Sequence, residues 1–347
     1  MSLDSVLLIG GSGFLGLHLI QQFFNVSPRP DIHVFDLRPL PEKLPKCFTF
    51  TAADITFHQG DITSPDDVLS AITKSKCDVI VHSASPVHGQ RQEIYEKVNV
   101  EGTANVIKVA QKAKVKALVY TSSAGVIFNG QDIINADESW PIPEVPMDGY
   151  NKTKAEAEEM VIKANSKDFL TVALRPAGIF GPGDRQLVPG LRQVAALGQS
   201  KFQIGDNNNL FDWTYAGNVA DAHVLAAQQV LDPKKQNEIG GEVFFVTNDA
   251  PNYFWTLART VWMQDGHVEK YNIVLKRPIA ILAGYLSQFF SKLSGKEPGL
   301  TPFRVKVVCA IRYHNISKIK RVMGYVPRVD LKEGIQATLD WMDEDKN

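Results

Sequence analysis

The chain has 347 residues, 44% of them hydrophobic and 22% charged, with 37 basic against 38 acidic side chains and a formal net charge of −1. That length suits one large α/β unit with an appended lobe, and that composition excludes a disordered chain. The charge balance leaves no overall electrostatic footprint for nucleic acid, and the scattered Cys47, Cys77 and Cys309 support neither a disulfide framework nor a zinc site, so no metal is expected.

The first predicted strand, residues 5–9, leads straight into Gly10-Gly11-Ser12-Gly13-Phe14-Leu15-Gly16, with an amphipathic run from Leu17. Strand, glycine loop and helix start in that order make a phosphate cradle. Glycines permit the tight turn and close approach of a pyrophosphate, and the helix end offers free N–H groups. Gly10, Gly13, Phe14, Leu15 and Gly16 are therefore expected to bind a dinucleotide. No secretory leader is expected, because the first apolar run is only residues 6–9.

A second strand, 32–35, ends at Asp36, which stands 20 residues after Gly16. An acid there can accept hydrogen bonds from both ribose hydroxyls and repel a 2′-phosphate, which favours NAD. Arg38 leaves NADP open, since a guanidinium beside the ribose can accept that phosphate or stack on adenine; it can equally be a solvated loop charge. A third strand, 56–59, precedes Asp61-Ile62, where the carboxylate can meet the adenine amino group or simply form an acidic turn. A fourth, 78–82, precedes Ser83-Ala84-Ser85, whose small side chains would let a cofactor pass.

A helix is expected over 103–113, with Asn99 just before it as either a helix-start polar residue or a functional one. The fifth strand, 117–121, leads to Ser123, whose hydroxyl could hold a substrate oxygen. Tyr150 and Lys154 lie four apart, on one face of a helix whose amphipathic part is 155–164. A free tyrosine ionises near pH ~10, and a neighbouring cation favours its phenolate. Asn151 heads one of three glycosylation sequons, with Asn25 and Asn315, and a glycan there would block the site.

Strands at 170–174 and 243–246 complete the pattern. Continuous apolar strands alternating with helices predict a doubly wound parallel sheet of the Rossmann type, with a smaller mixed C-terminal lobe. The composition turns Pro/Gly-rich and Asn-rich beyond Pro182, so 1–184 is expected to be the dinucleotide-binding domain carrying the catalytic residues. Residues 185–347 would form the substrate lobe, with segments such as 243–246 returning to the sheet. Residues 278–291 carry no charge but fall short of the ~20 apolar residues of a membrane span. The stretch 278–293 is expected to be either a core or lid helix or a helix lying on a bilayer.

Taken together, the glycine loop, Ser123, Tyr150 and Lys154 resemble the extended short-chain dehydrogenase/reductases. So do Asn99 in Asn99-Val100-Glu101-Gly102-Thr103, the Arg175–Pro182 run and Asn218-Val219-Ala220-Asp221. The run from Tyr120 to Phe128 and the apolar stretch are similar to the 3β-hydroxysteroid dehydrogenase family. That resemblance implies Ser123, Tyr150 and Lys154 as catalytic residues, Asn99 as structural or proton-relaying, and Asn99, Tyr150 and Lys154 also as cofactor-binding, with Lys154 on the nicotinamide ribose. It also implies Pro176, Gly178 and Ile179 beside the nicotinamide. The implied reaction is NAD(P)-dependent oxidation of the 3β-hydroxyl of a 4α-carboxysterol to a ketone, with loss of the C4 carboxylate as CO2. Arg185 and Arg192 are candidates to recognise that carboxylate, although each also reads as a surface charge. The implied setting is the cytosolic face of the endoplasmic reticulum membrane, peripherally bound, as a homodimer among other enzymes of sterol C4 demethylation. Another 3β-hydroxysteroid dehydrogenase, a flavonoid-type ketone reductase, a nucleotide-sugar epimerase and a non-enzymatic cofactor sensor are the rivals. The apolar lobe argues against the epimerase, and the intact Tyr150–Lys154 pair against the sensor.

Overall fold

The computed structural model describes residues 3–295 and 298–344. Its centre is a seven-stranded parallel sheet in the spatial order Glu242–Val246, Leu170–Pro176, Ala117–Thr121, Val79–His82, Ser5–Ile9, Asp31–Asp36, Thr56–Gln59. Every residue of Ser5–Ile9, Val79–His82 and Ala117–Thr121 is buried, as befits strands covered by helices on both faces. One apolar layer gathers Leu7, Ile80 and Leu118, and the other gathers Leu8, Val81 and Val119, so alternate residues feed opposite faces. The strand order reverses between Ser5–Ile9 and Val79–His82, and a crevice for a dinucleotide opens at the carboxyl ends there. The predicted strand at 243–246 does return to this sheet, as the outer neighbour of Leu170–Pro176.

The two expected domains interleave rather than meet at 184. Ile133–Ala136, from the first half, pairs with Arg312–His314, which in turn pairs with Leu210–Phe211. In the other direction, the helix Ala216–Gln229 packs on the helix Phe14–Phe24 beneath the main sheet. A single sequence reveals a strand by its pattern but not a partner nearly 180 residues away.

Two helices begin earlier than their apolar periodicity suggested. The helix that carries Tyr150 and Lys154 runs Gly149–Lys163, because the Asp148 carboxylate accepts a hydrogen bond from the Asn151 amide at 2.7 Å and caps it. The helix Thr103–Lys112 is the end of a longer helical run that starts at Gln92 and passes through a π-helical turn, Glu96–Gly102.

The apolar stretch forms the helix Arg277–Ser294, opened by Pro278 and closed by Gly295 at φ 69°. Its inward side is made of small residues. Ala280 is fully buried, and a Cβ on Gly284 would lie 2.8 Å from the Pro302 nitrogen. Its large side chains point outward, Leu282, Phe289, Phe290 and Leu293 being 60–71% exposed. No helix among the described residues is long and apolar enough to cross a membrane.

Candidate active site

The glycine loop is shaped by contacts that only glycine permits. Gly10 sits at φ 86°, and a Cβ there would lie 2.6 Å from the Ala84 nitrogen. A Cβ on Gly16 would run into the carbonyl oxygens of Gly10 and Gly11, so its absence lets the helix close onto the loop. The helix Phe14–Phe24 begins at Gly13 with no side-chain cap and no acid in its first turn. Its first N–H groups are therefore free to meet an anion. The neighbouring Ser12 hydroxyl is buried without a protein partner. Phe14 and Leu15 are half-buried beside it.

Asp36 closes the second strand with both oxygens oriented by backbone: Oδ2 accepts from Ser12 N–H at 3.1 Å and Oδ1 from Arg38 N–H at 3.3 Å. Each oxygen keeps a second lone pair for a ribose hydroxyl. Arg38 is exposed. Asp61 is held in its turn, with Oδ1 accepting from Thr63 N–H at 2.8 Å, while Ile62 packs against Gly102. Ser83 donates to the Ile9 carbonyl at 3.1 Å, Ala84 faces Gly10, and Ser85 meets the Tyr150 hydroxyl. These residues stand at the carboxyl ends of adjacent parallel strands. Their donor set fits a nicotinamide dinucleotide, with an uncapped helix end and an unpartnered hydroxyl for the pyrophosphate and a carboxylate for the adenosine ribose.

At the reacting end, Lys154 Nζ donates to the Thr121 carbonyl at 2.5 Å and lies 4.3 Å from the centre of the Tyr120 ring. Burial pulls its pKa down to about 7, against the opposing pull of Glu158. Glu158 lies one turn further along and grips Arg175 with two hydrogen bonds, at 2.9 and 2.6 Å. Burial pushes the Tyr150 phenol up to about 12; the Ser85 hydrogen bond opposes this, and Asp148 and Tyr95 add to it. His82 and His223 lie near Lys154, held by Thr103 and Thr121 at 3.0 and 2.8 Å. Burial lowers them to about 3 and about 4, so they stay neutral and add no rival cation at neutral pH.

Ser123 Oγ accepts from the Gly125 amide at 3.0 Å and caps the short turn Ala124–Ile127, leaving its own proton to donate. Asn99 is buried, donates to Thr153 Oγ1 at 3.0 Å and has no protein partner for Oδ1. It lies inside the π-helical turn, so the helix-start reading fails; helical residues already precede it. Pro176 ends the neighbouring strand, Gly178 abuts Phe211, and Ile179 pairs with Thr214. Asn151 is 6% exposed against Gly125, which leaves no room for a glycan.

Neither arginine proposed for a substrate carboxylate is placed for it. Arg192 is committed to Asp265 at 2.7 and 2.6 Å and to Asp343 at 3.1 Å. Arg185 is exposed and lines a cavity of about 240 Å³ with Ser12, Gly13 and Phe14, at the glycine loop. Sequence reasoning missed His88 and Tyr95, whose rings lie 3.9 and 5.7 Å from that of Tyr150. It also missed Arg312, which acts electrostatically on His88. His88 sits in an irregular loop and Arg312 is 162 positions after Tyr150, so no spacing rule links either to the catalytic helix.

The family model for 3-beta hydroxysteroid dehydrogenase/isomerase matches residues 7–277. The chain belongs to that family. Within it, the chain is similar to the decarboxylating sterol-4-alpha-carboxylate 3-dehydrogenase of Saccharomyces cerevisiae, at 72% identity over 99% of both chains. It is 37% identical to the decarboxylating sterol-4-alpha-carboxylate 3-dehydrogenase of Homo sapiens, across 96% of this chain and 86% of that one. Among solved structures, the dTDP-glucose 4,6-dehydratase of Bacillus anthracis in complex with NAD superimposes with a TM-score of 0.72, covering 99% of this chain and 97% of that one. At 18% identity, that likeness bears on the fold of the family member alone.

Proposed function

We propose that the protein oxidises the 3β-hydroxyl of a 4α-carboxysterol to a ketone, and that the C4 carboxylate leaves as CO2. The observation that carries this is Tyr150 and Lys154 one turn apart on the helix at the crevice of the parallel sheet, in a chain 72% identical to an enzyme named for that reaction. A bound nicotinamide supplies the hydride acceptor and a positive charge beside the phenol. Tyr150 takes the hydroxyl proton at its oxygen, with Ser85 as its hydroxyl partner, and Ser123 has its own proton left to donate to the substrate oxygen. Lys154, fixed to the Thr121 carbonyl, holds a cation in the same pocket and favours the phenolate when protonated. Oxidation at C3 makes a β-keto acid. Its departing carboxylate leaves an electron pair that the ketone oxygen accepts as an enolate, so no separate decarboxylating group is needed.

NAD is the preferred cofactor, because Asp36 is oriented to meet both ribose hydroxyls; exposed Arg38 keeps NADP use open. The apolar outer face of Arg277–Ser294, flanked by exposed Lys276, Arg277 and Lys292, supports peripheral binding to a membrane from which a sterol is drawn. Residence on the cytosolic face of the endoplasmic reticulum, as a homodimer beside other sterol C4-demethylation enzymes, belongs to the same proposal.

The test is incubation with NAD or NADP and a 4α-carboxysterol, following reduced cofactor and released CO2 together. Equimolar release is expected, and Tyr150→Phe should lose it. Cofactor reduction without CO2 would sink the decarboxylating assignment.

A further inference from the structure

Arg312 is a half-buried cation that meets no acid among the described residues. Its guanidinium carbon lies 4.5 Å from the ring centres of both Phe128 and Phe211, so two aromatic faces hold it. Of its five N–H groups, one on Nη2 donates to the Val307 carbonyl at 3.0 Å, while Nε–H is buried with no partner. Among the described residues it pairs with no carboxylate. Burial alone draws its pKa to about 10, which leaves it charged at neutral pH. Such a group costs stability unless something pairs with it.

Its two aromatic neighbours tie it to the reacting centre. Phe128 ends the short turn that Ser123 caps. Phe211 abuts Gly178, where a Cβ would lie 2.6 Å from the ring, just past the strand end at Pro176. Arg312 is also within electrostatic reach of His88, whose ring lies tilted 3.9 Å from that of Tyr150. An anion on the substrate, adjacent to the carbon that reacts at Tyr150, would face this cation.

We propose that Arg312 receives the C4 carboxylate of the substrate and makes the site select a sterol acid over an uncharged 3β-hydroxysterol. The inference rests on the sterol-acid reading above. Its role is recognition during C3 oxidation. Phe128 and Phe211 fix the guanidinium plane, so the unused N–H groups can meet two carboxylate oxygens at once.

The test compares a 4α-carboxysterol with its methyl ester, both in detergent micelles, on NAD-loaded wild type, Arg312→Met and Arg312→Lys. Reduced cofactor and equilibrium binding are both measured. Arg312→Met should lose roughly 10- to 100-fold in kcat/KM for the acid, mostly through KM, as expected for a charge-assisted pair. The ester and NAD affinity should be unchanged. Arg312→Lys should keep part of the preference, and decides the matter if Arg312→Met does not fold. Equal losses for acid and ester, or no loss for either, overturn the proposal. Should wild type oxidise neither compound, the reaction reading fails, and binding decides on Arg312: an Arg312-dependent preference for the acid keeps the assignment, and equal binding of acid and ester ends it.

Discussion

At the residue scale, the proposed chemistry depends on the buried cation of Lys154. Burial disfavours the charged form of both catalytic groups and so drives them apart, Lys154 down to about 7 and Tyr150 up to about 12. A positive charge nearby lowers the phenol's pKa, so removing it raises that value. Lys154→Met should therefore move the acid limb of the kcat/KM profile to higher pH and cost ~100-fold or more at pH ~7. Stopped-flow measurement of cofactor reduction across pH checks both, and an unmoved limb would contradict the role of Lys154. Glu158 and Arg175 form a buried pair next to this site, with side chains 3% and 5% exposed. Breaking it with Glu158→Ala leaves a guanidinium unpaired and should cost about 3–5 kcal/mol in urea unfolding, whereas Glu158→Leu with Arg175→Met should recover most of that. The sequence showed Tyr150, Lys154 and Asp36, because local spacing and strand-end position carry them. It could not show that Ser85 meets the phenol, since that contact joins residues 65 apart.

At the element scale, the helix Phe14–Phe24 and the helix Arg277–Ser294 owe their placement to small residues. Gly16→Ala would push the first helix off its loop. The variant should weaken cofactor binding by more than tenfold and destabilise by about 1–3 kcal/mol, seen by NADH fluorescence titration and thermal melting. The second helix docks through Ala280 and Gly284 and leaves its bulky apolar side uncovered. Leu282→Glu with Phe289→Glu should cut co-sedimentation with anionic lipid vesicles while leaving the melting temperature unchanged. Undiminished sedimentation would reject this helix as the membrane contact. The lack of charge across 278–291 was plain from the sequence. Which side faced out was not, because both a lid and a membrane helix present the same apolar run.

At the scale of the whole molecule, three buried histidines make the fold sensitive to acid. His18, His82 and His223 are held to about 4, about 3 and about 4 by burial, below their ordinary value of 6.5. A depressed value means that the unfolded chain takes up protons first. The stability they confer is complete above pH 6.5 and is lost as pH falls towards 4. Each is worth on the order of 3 kcal/mol at the acid extreme, so the urea midpoint should drop steeply between pH ~6.5 and ~4.5. His18→Gln, which keeps a donor for the Pro182 carbonyl, should flatten that slope; an unaltered slope would count against it. The sequence by itself determined the sheet, the glycine cradle and the catalytic helix, because each is written in a short run of residues through hydrophobic period, glycine placement and helical spacing. Only the tertiary structure decided how the lobes interleave, that Arg192 is already paired, and that Arg312 lies between two aromatic rings with no acid partner among the described residues. Those facts depend on partners far apart in the chain. A charged side chain looks the same in sequence whether its counter-ion is a neighbouring acid or none at all.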